Sequence, residues 1–501
     1  MLQRTLALMT RAFRSDARDI RTHLFRLALP ALFMFTVFLF HMDNGLRSAP
    51  GLELFWWLII YDYIFITFAA GTFFATAVAE EREQQTLGLL RMADVGPIAI
   101  LLGKWLPRMW TAILLLCIQL PFTLLCVTLG GVLWSHIIAA FACVLAHLIL
   151  VGGLALLCSV CSRDVSTACG WTTVLIVLYH AGVWIFSALF YRYVDVSLVS
   201  DFLGFNRLID GVLESSFMGS ALSYQVFGNL IVGSFFMLMA WALFDPLTTR
   251  EAAESRTSIS QILRHATSGK LRRAWSEAPL LWQGFHYVAG GPTWLFIRMG
   301  FYLCAVFTLI LVWWAPFSRR LDPELIGGCF FMCGMMGTIA EGAYLSAQVF
   351  RIEIAGQTWG TLCMLPEDLS SIVYPRLLGT FMGLAPGLAC MMFGTLLLAD
   401  ELMDVIDDDD FWMITFIFSA LVVWGWHLTT LFSITIDWSA WPISILLATM
   451  VVIMFFTCTV VCAETTDADE AGVWLAAFFV WGLSLATHLA IGEKLKSRMA
   501  E

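Results

Sequence analysis

Three ionisable residues lie inside long apolar runs of this sequence, namely Asp62, His147 and His180. An ionisable group at membrane depth is costly unless it is paired or hydrated, and such groups often mark transport pathways. These residues are therefore candidates to line a transport path or to take part in a proton-linked step. A buried structural pair, or a position near the membrane interface, is the commoner explanation, and the sequence alone leaves both open.

The carboxylates of Glu81 and Glu83 have the residue type and spacing of an acid–base pair. We expect them instead at the start of a short cytosolic helix, where the helix dipole favours negative charge. No GxSxG, HExxH or DxDxDG pattern occurs, and the lone Cys158-x-x-Cys161 spacing indicates packing rather than zinc binding. The sequence therefore predicts no catalytic, cofactor-binding or metal-binding residues.

An acidic run occupies residues 400–410. Such a run can attract a cation or a basic substrate to the mouth of a channel. A solvated outer loop is the commoner origin of a charge run, and we prefer that interpretation.

The composition identifies the class of protein. Hydrophobic residues make up 60% of the chain, charged residues 13%, and the mean hydropathy is +0.82. These values exclude a soluble globular protein. The 13 cysteines lie in or next to apolar runs, which argues against a disulfide scaffold. We expect an all-α polytopic membrane protein, without nucleic-acid partners.

Two segments interrupt the apolar runs in the same way, residues 79–104 and residues 351–376. Shifting the sequence by 272 positions places Glu81 on Glu353, Thr86 on Thr358 and Lys104 on Arg376 without a gap. We call these segments the first and second hairpins, since each is expected to leave the bilayer, form a short polar helix and re-enter. A helix break is expected at Gly96-Pro97, because proline is favoured in a first helical turn. The repeat predicts two homologous halves, residues 1–250 and 251–501.

The pattern Glu81-Arg82-Glu83-x-x-Thr86-Leu87, followed by an apolar pair and Ile100-x-x-Gly103-Lys104, resembles the type-2 ATP-binding-cassette (ABC) export permeases. In that family the equivalent segment carries a coupling helix that docks on the ATPase. The second hairpin departs from the pattern, with Ile354 and Ala355 in place of Arg82 and Glu83.

The resemblance implies ATPase-coupling roles for the matching residues of both hairpins. They are Glu81, Arg82, Glu83, Thr86, Lys104, Glu353, Gln357, Thr358 and Arg376. Within this interpretation the two threonines hold the packing of each hairpin, and Lys104 and Arg376 contact the inner lipid headgroups. No GxxxxGK[ST] phosphate-binding loop occurs. The chain would therefore bind no cofactor itself and would pair with two copies of a separate ATPase that binds ATP.

The predicted topology has twelve spans in two parallel six-span repeats. The spans are expected at about 24–41, 53–78, 105–129, 134–158, 168–190, 224–244, 294–315, 325–350, 377–399, 411–434, 440–462 and 471–491. An amphipathic basic interfacial helix at 1–23 precedes them, and a polar cytosolic linker occupies 245–278. This alternation puts five of the 28 Lys and Arg residues outside, so both termini are expected in the cytosol of a cell whose inner or plasma membrane holds the protein.

Two other classes remain open at this stage. A secondary transporter with two repeats would use Asp62, His147 or Glu341 to bind a coupling ion, although repeats in such carriers are commonly inverted. A membrane enzyme would need a convergent polar site near one interface, and no matching motif is visible. We rank the permease first, the carrier second and the enzyme third, and the identity of any transported substrate is not indicated.

Overall fold

The computed structural model describes residues 51–84, 86–190, 222–253, 278–317, 323–355, 358–364, 367–399, 409–435 and 470–500, with eight isolated residues. Within these ranges the regular elements are helices, with no β-strand, which confirms the all-α class. The span at 440–462 and Gln357 lie outside the described residues, as do residues 400–408 of the acidic run, most of the interfacial helix at 1–23, nearly all of the first span and most of the linker.

Seven helices of the described part are long and apolar enough to cross a membrane. They are Pro97–Leu129, Trp134–Cys161, Tyr224–Thr248, Gly291–Ile310, Pro323–Ile354, Leu369–Leu397 and Thr415–Thr435. The chain is thus a multi-pass α-helical membrane protein. The count of twelve spans stays a prediction.

The contacts divide the chain into two compact units, residues 1–257 and 258–501, and we describe each separately. In the first unit the helices are α1 Gly51–Phe65, α2 Gly71–Glu83, α3 Leu87–Met92, α4 Pro97–Ile118, α5 Leu120–Leu129, α6 Trp134–Cys161, α7 Val165–Phe190 and α8 Tyr224–Ala253. A π-helical turn, Ile66–Ala70, joins α1 to α2. In the second unit they are α9 Pro279–Gln283, α10 Gly291–Phe317, α11 Pro323–Ala355, α12 Trp359–Cys363, α13 Leu369–Phe381, α14 Ala385–Leu397, α15 Asp409–Thr435 and α16 Glu470–Ala500.

Small residues let the long helices pack with their backbones close together. In the first unit a methyl group added at Gly153 of α6 would lie 2.4 Å from the carbonyl oxygen of Gly233 of α8. In the second unit one added at Gly334 of α11 would lie 2.4 Å from the backbone nitrogen of Met391 of α14. Small residues at helix contacts are typical of membrane bundles, because dispersion contacts must replace the hydrophobic effect there.

The break at Gly96-Pro97 is confirmed, since Gly96 is extended and Pro97 begins α4. The sixth span differs from its expected end at 244, because α8 continues through Asp245 to Ala253. A polar composition marks where a helix leaves the apolar phase, and it does not by itself end the helix. The second span is likewise less regular than expected, because the π-helical turn Ile66–Ala70 interrupts it.

Candidate functional site

The first hairpin places its carboxylates differently from the sequence-based expectation. Glu81 and Glu83 lie in the last turn of α2, not at the start of the short helix, and α3 has the largely apolar sequence LGLLRM. The dipole of α2 disfavours negative charge at this end, so our dipole argument for these residues is wrong. Neighbouring cations compensate, since Lys104 pairs with Glu81 and Arg108 lies 3.5 Å from Glu80.

Glu81 connects three elements of the first hairpin. The Thr86 hydroxyl donates to Glu81 Oε2 and Lys104 Nζ donates to Glu81 Oε1. The Thr86 backbone N–H also donates to the Glu81 carbonyl at 2.9 Å. The end of α2, the start of α3 and the body of α4 are therefore held together by one carboxylate.

The second hairpin contains the same arrangement. The Thr358 hydroxyl donates to Glu353 Oε2, and Arg376 Nη2 donates to Glu353 Oε1 at 2.8 Å. The Thr358 N–H donates to the Glu353 carbonyl at 2.9 Å, and Gln283 of α9 adds a bond of 3.2 Å. We call each set, Glu81–Thr86–Lys104 and Glu353–Thr358–Arg376, the Glu–Thr–cation cluster of its hairpin.

The burial of the two clusters differs. The side chains of Arg376 and Glu353 are 1% and 8% exposed, whereas those of Lys104 and Glu81 are 23% and 15% exposed. Arg376 therefore faces Glu353 inside the second unit, which differs from the expected contact with lipid headgroups. The ammonium group of Lys104 likewise pairs with the carboxylate of Glu81.

Arg82 and Glu83 bind the turn between α6 and α7. Arg82 Nη1 donates to the carbonyl of Ser162, directly after the end of α6, at 2.6 Å. Glu83 Oε2 accepts the N–H of Val165, the first residue of α7, at 3.0 Å. The cation thus meets the negative end of one helix dipole and the carboxylate the positive end of the next. Ile354 and Ala355, at the matching positions of the second hairpin, are unable to form such bonds.

The short helices α3 and α12 contact the last described helix of their units, α8 and α16, through different kinds of interaction. Arg91 of α3 pairs with Asp245 of α8 at 3.1 Å, donates to Thr248, and lies over the Phe244 ring at 5.4 Å. In the second unit Trp359 of α12 is buried in a cluster with Ile491 and Leu495 of α16. Sequence reasoning missed both contacts, although the Arg91 charge in an otherwise apolar helix and the bulk of Trp359 were visible signals.

In each hairpin an exposed methionine lies at the end of the short helix or directly after it. Met92 is 85% exposed and Met364 is 84% exposed. A side chain added at Gly88 or Gly360 would have no atom within 4 Å, so these faces of the short helices are open within their units.

The structure brings two of the three intramembrane candidates together. His147 accepts or donates a hydrogen bond of 3.0 Å with Thr67, in the π-helical turn, and its ring stacks on Tyr63 with centroids 4.3 Å apart. The His180 ring lies 5.6 Å from that of His147, and both of its nitrogens lie 3.3 Å from the Tyr63 hydroxyl. π-helical turns recur at functional sites, which is why this cluster is of interest.

Asp62 is separate from that cluster in its contacts. It is buried and accepts a hydrogen bond from Nε2 of Gln119, at the junction of α4 and α5. Successive residues of a helix point about 100° apart, so Asp62 faces Gln119 while the adjacent Tyr63 faces the histidines. Path lining by Asp62, His147 and His180 stays a prediction.

Glu341 of α11 has a cationic neighbour that sequence reasoning did not single out. Arg298 of α10 lies 3.6 Å from the Glu341 carboxylate and donates to the carbonyl of Gly383 at 3.1 Å. An arginine inside a predicted span was the signal that could have indicated this pair.

The described residues contain no group of three or more His, Cys, Asp or Glu side chains arranged to hold a metal ion. Comparisons of this chain with protein-family models, with curated proteins and with solved structures found no match.

Proposed function

We propose that this chain is the membrane-spanning permease of an ABC-type exporter, driven by ATP hydrolysis in a separate ATPase that binds as two copies. The observation that carries the proposal is the recurrence of the Glu–Thr–cation cluster in both hairpins. The supporting resemblance is the first-hairpin pattern from Glu81 to Lys104.

The recurrence supports two homologous halves. In each cluster a carboxylate accepts from a hydroxyl five residues later and from a cation 23 residues later. All three residue positions keep the same offset of 272. Two hairpins of independent origin have no reason to reproduce the same donors at the same spacings, so a duplicated ancestral segment is the simpler explanation.

The exposed methionines at the ends of the two short helices supply the surfaces on which the proposed partner docks. Met92 and Met364 are large apolar side chains on turns expected in the cytosol. Burying such a side chain on a partner is favourable by roughly 1.5–3 kcal/mol. The partner is a soluble ATPase in this proposal, because the chain has no phosphate-binding loop of its own.

The clusters make the hairpins suited to transmitting movement. Glu81 connects α2 to α4, so a force applied to α3 tilts the two spans together. Closure of the ATPase dimer on ATP would move both hairpins and open a path between the spans towards the outer side. Twelve spans in two parallel repeats, cytosolic termini and a location in the plasma or inner membrane belong to the same proposal.

The test is co-purification of a soluble ATPase with the detergent-solubilised chain. Met92→Asp and Met364→Asp should each reduce the amount of bound ATPase, and the double variant should abolish binding. Both substitutions lie on exposed side chains, so the fold should be retained, as checked by unfolding temperature. Lys496→Glu, an exposed charge change on α16, is the matched control. Undiminished binding to the double variant, or the absence of any ATPase, would contradict the proposal.

A secondary transporter is the second candidate, because Asp62 is a fully buried carboxyl whose partner among the described residues is the neutral amide of Gln119. Asp62→Asn would then abolish transport driven by an ion gradient in vesicles without ATP. Transport that requires ATP and survives Asp62→Asn would reject this candidate.

A further inference from the structure

Two histidines of the second unit face each other across a helix contact. His427 lies on α15 and His488 on α16, with rings 5.3 Å apart at 74°. His427 Nε2 and His488 Nδ1 are separated by 3.3 Å. Both rings are partly exposed, and neither residue has a place in the proposed coupling mechanism.

We propose that His427 and His488 form a two-histidine binding site for a divalent transition-metal ion. The site joins α15 to α16 and is independent of the proposed ATPase coupling.

The distance suits two ligands of one ion. Zinc–imidazole bonds measure about 2.0–2.1 Å. Two nitrogens 3.3 Å apart, each about 2.05 Å from an ion, subtend an angle of about 107° at that ion, close to the tetrahedral value.

In each ring the nitrogen that would not bind the ion already has a hydrogen-bond partner. His427 Nδ1 lies 2.8 Å from the carbonyl oxygen of Val423, which can accept but not donate, so this nitrogen carries the hydrogen and Nε2 is left as the ligand. His488 Nε2 lies 3.1 Å from the Tyr374 hydroxyl, which can do either. His488 can therefore place its hydrogen on Nε2 and present Nδ1. Such outer hydrogen bonds are the usual support of metal-binding histidines.

The ligand set selects the class of ion. Neutral imidazoles suit Zn²⁺, Cu²⁺ and Ni²⁺, whereas Mg²⁺ and Ca²⁺ require oxygen ligands. No third His, Cys, Asp or Glu ligand joins the pair among the described residues, so water would complete the coordination sphere. Both side chains are partly exposed within the second unit. We expect an exchangeable ion that stabilises the α15–α16 contact.

The His147–His180 pair of the first unit is the internal comparison. Its rings are also close, but the His147 Nε2 atom is engaged by Thr67 and the His180 nitrogens face Tyr63. The nitrogens of this pair are engaged by Thr67 and Tyr63 and not by each other, so His180→Gln serves as the control.

The test uses the full chain, purified in detergent with a histidine-free tag and with its thiols blocked. Titration calorimetry with Ni²⁺ should detect about one site per chain, and Mg²⁺ should give no heat of binding. His427→Gln and His488→Gln should each abolish the site, and His180→Gln should leave it unchanged. Tyr374→Phe should weaken binding about tenfold, the usual effect of losing an outer hydrogen bond.

A spectroscopic readout guards against variants that merely misfold. Electron paramagnetic resonance of the wild-type chain with one equivalent of Cu²⁺ should show hyperfine coupling to two imidazole nitrogens. The unfolding temperature without metal checks the fold of each variant, and added Ni²⁺ should raise it for the wild type but not for His488→Gln. A Ni²⁺ site that survives both histidine substitutions, or a wild-type chain without a site, would overturn the proposal and leave a direct histidine–histidine hydrogen bond.

Discussion

The two hairpins follow the same path with the same Glu–Thr–cation cluster, yet they are stabilised by different interactions. The first hairpin relies on partly exposed charges, namely Lys104, Arg82 and Arg91. The second relies on a buried ion pair, Glu353–Arg376, and on the buried Trp359. One backbone arrangement is thus kept while its support changes from partly exposed charges to a buried ion pair and an apolar contact.

The difference has a physical consequence. Exposed charge pairs contribute little and are screened by salt, whereas removing one partner of a buried pair leaves an uncompensated charge. The first hairpin should therefore be the more easily rearranged of the two.

The largest effect is expected from Arg376→Ala. Because Arg376 is buried against Glu353, its removal should destabilise the chain by about 3–5 kcal/mol. Lys104→Ala, at the matching and more exposed position, should cost less than Arg376→Ala, because water can partly solvate the Glu81 carboxylate that is left unpaired. Unfolding by titration of the micelle with a denaturing detergent measures both. Equal losses for the two variants would remove the proposed difference in burial.

The second largest loss of stability is expected at the contacts of the short helices α3 and α12. Trp359→Ala removes a buried indole from the Ile491–Leu495 cluster and should cost roughly 3 kcal/mol. This loss should be independent of salt. Arg91→Ala should cost about 1 kcal/mol or less at low salt, and the loss should shrink further at 1 M salt, because the Arg91–Asp245 pair is exposed. The same detergent titration at two salt concentrations separates the cases, and a salt-sensitive Trp359→Ala variant would contradict the assignment.

The smallest of the three effects concerns the turn between α6 and α7. Arg82→Ala should lose the bond to Ser162, worth about 1.5–3 kcal/mol for a charged donor, and should raise amide hydrogen exchange near Val165. Ile354, at the matching position, packs against the apolar cluster that contains Ile434 of α15, so Ile354→Ala removes an apolar contact there and no charged hydrogen bond. Unaltered exchange near Val165 in Arg82→Ala would show that the turn does not depend on this residue.

The sequence identified the corresponding residues of the two hairpins but not the contacts that they make. Glu81, Thr86 and Lys104, and their matches Glu353, Thr358 and Arg376, were identified by a constant offset, and the structure places each set in one cluster. The 23-residue separation of carboxylate and cation spans a turn, so no helical periodicity indicates that they meet. The expected headgroup contact of Arg376 is wrong, because this side chain is buried against Glu353, whereas that of Lys104 stays a prediction.

The sequence by itself determined the all-α membrane class and the helix break at Gly96-Pro97. Long apolar runs need internally hydrogen-bonded helices in lipid, and a proline directly after a glycine is favoured in a first helical turn, so both follow from local chemistry. Only the tertiary structure decided that Glu83 caps α7, that His147 meets His180, and that His427 meets His488. These contacts join residues 33 to 82 positions apart in different helices, and their partners are set by how the helices pack and rotate against one another.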